Sequence, residues 1–130
     1  VPALDVLLIG LSAFARRRVL PALAELDGVG AVHVASKSGD PGAVAGAGRR
    51  FRDYQQALDE TPPGLVYVSL TNEAHERWVA AALERGHHVV VDKPAFTSLD
   101  AAERLVALAR ARGRVLAEAT TYAFHPVVAS

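Results

Sequence analysis

"LDVLLIGLSAFA", residues 4–15, decides how this chain folds. Leu4 to Ile9 form a short apolar run that stops at Gly10, and from Phe14 to Leu26 the apolar side chains Val19, Leu20, Leu23 and Leu26 recur at helical spacing. A buried strand therefore feeds a helix through a turn of small residues. Pro21 lies inside that helix without an N–H to give, so the helix is expected to bend there or to leave one carbonyl unpaired.

The same alternation continues outward. "AVHVAS" (31–36) reads as a second strand, followed by a glycine- and alanine-rich turn and short helix over "SGDPGAVAGAG". "RRFRDY" gives a brief extended stretch and "YQQALDE" a helical turn or two, ended by "TPPG". "LVYVSL" (65–70) and "HHVVVD" (87–92) are further strands. Between them lies the helix "NEAHERWVAAALERG", with Asn72 as N-cap and Gly86 as C-cap. "SLDAAERLVALARARG" is a helix capped by Ser98 or Asp100 and stopped by Gly113, and "RVLAEATTY" is the last strand. Strands that are continuous apolar runs, alternating with helices, imply an α/β fold of the Rossmann type: a doubly wound, mainly parallel sheet with helices on both faces. Right-handed crossovers gather the carboxyl ends of all strands on one edge, where functional residues are expected.

The totals agree with one domain of 130 residues. Fourteen basic and fourteen acidic residues cancel, which argues against nucleic acid or an anionic membrane as partner. Cysteine is absent, excluding disulfides and thiolate chemistry, and a cytoplasmic protein is expected. The chain begins with valine and contains no methionine, so a continuation beyond "EATTYAFHPVVAS" is expected. No metal-ligand spacing, Walker loop or serine–histidine–acid arrangement occurs, and His33, His87 and His88 read as structural.

The turn "GLSAFA" compares with the dinucleotide pattern G-x-G-x-x-G/A. Gly10 and Ala15 fit its first and third positions, and Ser12 stands at the second, where its hydroxyl could donate to a phosphate oxygen. Such a turn also occurs in α/β proteins that bind no nucleotide. Of Arg16, Arg17 and Arg18, at least two are expected on a solvated helix face. At the end of the second strand, where an acid receives a ribose 2′-hydroxyl and basic residues receive a 2′-phosphate, the chain has Ser36, Lys37 and Ser38, with Asp40 already in the loop. A lysine between hydroxyls suits NADP better than NAD, although an ordinary polar turn reads the same way.

"VVVDKPAF" (89–96) places a lysine at the mouth of a buried strand. By itself Lys93 reads as a snorkelling strand-end side chain. Together with "GLSAFARRRVLPAL", "VASKS", "LTNEAHERWVAAALERGHHV" and "YAFHP" in that order, it resembles the Gfo/Idh/MocA oxidoreductases over essentially the whole chain. The resemblance implies an N-terminal Rossmann domain of an enzyme acting on sugars, cyclitols and related keto sugars. It implies Lys93 as the catalytic lysine and Pro94 as the proline beside it. Asn72 and His75 would line the nicotinamide side of the cleft, Gly10, Ser12 and Ala15 would surround the pyrophosphate, and Ser36 and Lys37 would meet the adenosine ribose. His125-Pro126 fits the family's closing segment. Asp92 replaces the usual glutamate, Ser12 a glycine, and His87 a position often lysine. The family's substrate domain is expected to be missing, so that this stretch alone binds a nicotinamide nucleotide without turnover and self-associates near its last strand. The alternative is a Rossmann-like module without catalysis, serving in binding or assembly.

Overall fold

The structure, a computed structural model, describes residues 3–37, 48–93, 95–96 and 98–119. The expected helix within 38–47, with Ser38 and Asp40, lies outside the described residues, as do Pro94 and His125-Pro126. Among the described residues, six strands and four α-helices follow in chain order: β1 (Leu4–Ile9), α1 (Leu20–Glu25), β2 (Val29–Ala35), β3 (Arg50–Phe51), α2 (Tyr54–Glu60), β4 (Leu65–Val68), α3 (Asn72–Glu84), β5 (His88–Asp92), α4 (Leu99–Arg112) and β6 (Leu116–Ala119). All strand pairs are parallel and the spatial order is β3-β2-β1-β4-β5-β6. The order reverses between β1 and β4, and outside that switch point an open α/β sheet leaves a crevice.

Alternation along the strands sends side chains to two cores. Leu7, Ile9, Val66, Val68, Val89 and Val91 face α2, α3 and α4, and pack with Leu58, Trp78, Val79, Leu83 and Leu105. Val6, Leu8 and Tyr67 face the other way, against Ala15, Val19 and Leu23 from the first helical segment. Helices thus cover both faces, as the apolar runs require.

The first helix is irregular just before Pro21, through a widened turn. Ala15–Val19 is a π-helical turn, in which the Leu20 N–H reaches back to the Ala15 carbonyl, and α1 continues with proline at its start. Proline cannot donate, and its ring would press on the carbonyl four residues earlier; widening the preceding turn relieves that clash. Ser98 caps α4 by accepting from the Ala101 N–H, and Gly113 ends it at φ +65°. The N-cap of α3 is Thr71 instead of Asn72, which is the first helical residue, and its C-cap is Arg85, with Gly86 following at φ +86°. Among the described residues no helix is long and apolar enough to cross a membrane.

Candidate functional site

The carboxyl ends of β1, β2, β4 and β5 bring most of the expected residues to one edge. Gly10 leaves β1 at φ +98°, its N–H bonded to the Ala35 carbonyl at 2.8 Å. A Cβ there would lie 2.2 Å from the Ser69 carbonyl oxygen and 2.7 Å from Leu70, so glycine is required by backbone angle and by the closeness of the turn to β4. Ala15 is fully buried where the helix meets the sheet; a larger side chain would push the two apart.

Ser12 acts as a helix cap. Its hydroxyl oxygen accepts from the Ala15 N–H at 3.0 Å, and its carbonyl accepts from the Arg16 N–H. The same hydroxyl lies 2.5 Å from that of Ser69. Ser69 in turn donates to Asp92 Oδ2 at 2.6 Å, and Tyr67 donates to Asp92 Oδ1 at 2.6 Å. Because the single Ser69 proton goes to the carboxylate, Ser12 must be the donor to Ser69. One continuous network therefore runs from the glycine turn to the strand that carries Lys93. Period-two alternation explains it: Tyr67 pairs with Val90 across β4 and β5, so Tyr67, Ser69 and Asp92 share the face toward α1. Burial, reinforced by the Asp92 carboxylate as acceptor and as neighbouring charge, pushes the Tyr67 phenol well above its ordinary pKa. It stays a neutral donor throughout the physiological range.

Asp92 thus turns away from Lys93. The lysine is exposed, its backbone N–H bonded to the Ala119 carbonyl at 3.2 Å, and its ammonium has no acidic partner among the described residues. The loop after it is held firmly at Ala95. Its N–H donates to Glu118 Oε2 at 2.8 Å, and its carbonyl lies 2.9 Å from His75 Nδ1. His75, 1% exposed, also places Nε2 2.9 Å from the Leu70 carbonyl. A neutral ring donates to one of these oxygens, an imidazolium to both. His75 so joins the loops after β4 and β5, while Asn72 is exposed at the start of α3.

At the end of β2 the two candidates part. Ser36 is fully buried, its N–H bonded to the Phe51 carbonyl at 3.0 Å, whereas Lys37 is exposed. The Lys37 ammonium sits 4.8 Å from the Tyr54 ring centroid and 5.6 Å from that of Trp78. Arg16, Arg17 and Arg18 are all exposed. Sequence reasoning missed Tyr67, Ser69 and Glu118, because their roles depend on which strands are neighbours.

Residues 4–120 match the family described as the oxidoreductase family with an NAD-binding Rossmann fold, Gfo/Idh/MocA. The chain belongs to the Gfo/Idh/MocA oxidoreductases. One relative in this family, the dTDP-3,4-didehydro-2,6-dideoxy-alpha-D-glucose 3-reductase of Streptomyces antibioticus, is 38% identical over 127 residues, covering 95% of this chain and 39% of its own. The D-xylose 1-dehydrogenase (NADP(+)) 2 of Haloferax volcanii is 34% identical over 106 residues, with 82% and 30% covered. Among solved structures, a 3-ketoreductase from Actinomadura kijaniata, crystallised in an open conformation with TDP-benzene and NADP, superposes with a TM-score of 0.88 at 34% identity. That match covers 96% of this chain and 40% of the other. The chain therefore spans well under half the length of the Gfo/Idh/MocA relatives it matches.

Proposed function

We propose that this chain is the NADP(H)-binding domain of an oxidoreductase acting on a sugar, cyclitol or related keto sugar. The observation that carries the reading is the convergence, at the switch point of the sheet, of a glycine turn opening a helix, an exposed lysine after β2 and an exposed lysine after β5. The residues fit the nucleotide. Gly10 has no side chain to spare, the Ser12 hydroxyl is folded inward as a cap, and the first N–H groups of the helix remain for a pyrophosphate. Lys37 stands where a 2′-phosphate is received and no carboxylate competes for that place among the described residues. Relatives named as NADP complexes or NADP(+) enzymes support the choice of nucleotide, and those named as keto-sugar reductases support the substrate class.

Bound NADP(H) supplies the hydride donor or acceptor. The protein's part is to move a proton at the substrate oxygen, and Lys93 is the group assigned to it, as a cation that polarises a carbonyl or relays a proton. Asp92 forms no ion pair with Lys93 among the described residues, and its oxygens accept from Tyr67 and Ser69 instead. Glu118 and His75 fix Ala95 and so limit the freedom of the lysine loop; Pro94, which the family resemblance places beside the nucleotide, lies outside the described residues. Mapping amide chemical shifts during NADPH addition tests the reading. The changes are expected at Gly10–Phe14, Lys37, Asn72 and Lys93, and changes confined to the opposite edge of the sheet refute it.

A further inference from the structure

Lys37 is not simply an exposed cation. Tyr54 and Trp78 are almost fully buried and meet edge to face, with centroids 5.2 Å apart and planes at 87°. The Lys37 ammonium lies over both rings, and the Arg77 guanidinium lies 4.6 Å from the same indole. Neither cation has an acidic partner among the described residues, and the two like charges are gathered on one aromatic surface. The rings come from the first turn of α2 and the middle of α3, elements packed in the larger core, so their positions are fixed by that packing.

A flexible lysine normally loses several rotamers on meeting a phosphate. A rigid aromatic seat removes part of that loss in advance, and attraction to the ring faces holds the ammonium at the edge without neutralising it. A carboxylate partner would also position the lysine, but would repel a phosphate. We infer that Tyr54 and Trp78 are specificity-determining positioning residues, which hold Lys37 ready for a phosphomonoester on the adenosine ribose and so set the preference for NADPH over NADH. This rests on the reading of Lys37 as the 2′-phosphate ligand.

Calorimetric dissociation constants for NADPH and NADH separate the two claims. Lys37→Ala is expected to collapse the preference for NADPH. Tyr54→Leu and Trp78→Leu keep apolar bulk in the core and are expected to lower the NADPH-to-NADH preference by about three- to tenfold, with NADH affinity little changed. Trp78→Phe, which keeps a ring face, is expected to retain most of it. If Lys37→Ala leaves the preference intact, the role of Lys37 itself is wrong and the inference falls with it. If Lys37→Ala abolishes the preference but the leucine variants keep it, or weaken both nucleotides alike, the aromatic seat is only structural. Should Trp78→Leu fail to fold, as thermal unfolding will show, Tyr54→Leu and Trp78→Phe decide.

Discussion

Replacing Asp92 by alanine removes the acceptor of two charge-assisted hydrogen bonds, from Tyr67 and Ser69, each 2.6 Å long. Hydrogen bonds to charged groups contribute about 1.5–3 kcal/mol each. Asp92 is half-buried, so water can reach part of the vacated space and the lower end of the range applies. Tyr67 is 4% exposed and Ser69 2%, and both are left with buried hydroxyls. The expected loss is about 3 kcal/mol, a large part of the roughly 5–15 kcal/mol that holds a domain folded. Urea unfolding at neutral pH measures it as a lower midpoint with an unchanged slope. Tyr67→Phe and Ser69→Ala are each expected to cost about 1–1.5 kcal/mol, and Tyr67→Phe on an Asp92→Ala background almost nothing, because its partner is already gone. A loss below about 1 kcal/mol for Asp92→Ala, or full additivity of the double variant, refutes the network.

Gly10→Ala is expected to cost about 3 kcal/mol or more, from the positive φ and from the Cβ pressed against the Ser69 carbonyl, and to abolish nucleotide binding; unfolding and titration check both. His75→Ala removes the ring that bridges the Leu70 and Ala95 carbonyls and opens a cavity, for an expected loss of about 2–4 kcal/mol in urea unfolding. His87 is 1% exposed, and burial lowers its pKa in the fold below the ordinary 6.5, opposed by the Leu58 backbone carbonyl. The unfolded chain then binds the extra proton first, so stability is expected to fall as pH drops below about 6.5 and to level off once the folded pKa is passed. A His87→Gln variant with the same pH profile as the parent contradicts that assignment. β6 is an outer strand of the sheet, and self-association through it is expected in sedimentation; a monomer mass independent of concentration rules it out.

The fold was legible because its strands are buried on both faces. "LDVLLI", "LVYV" and "HVVVD" are nearly continuous apolar runs, and runs of that kind between helices leave few alternatives to a parallel sheet. Gly113 and Ser98 were legible as caps for local reasons: one needs a positive φ, the other a short hydroxyl side chain. Thr71 and Asn72 are both capping types in succession, and sequence alone does not say which one adopts the extended conformation. The same limit applies to the site. Gly10, Ser12, Lys37, His75 and Lys93 stand out because each belongs to a local pattern at a strand end or helix start. The partners of Asp92 do not, since they require β4 beside β5 in one particular register. Nor does the seat of Lys37, where rings from α2 and α3 converge only after both helices have packed on the same face. Ser12 and Asp92, which read as separate departures from the family pattern, are joined in space through Ser69.

Calorimetric titration of the purified chain with NADPH, and separately with NADH, tests the central claim most directly. Saturable binding of NADPH, tighter than that of NADH, is the predicted result. Absence of binding to either nucleotide by a chain that unfolds cooperatively contradicts the claim, and leaves a Rossmann-type scaffold whose Lys93 serves no nucleotide.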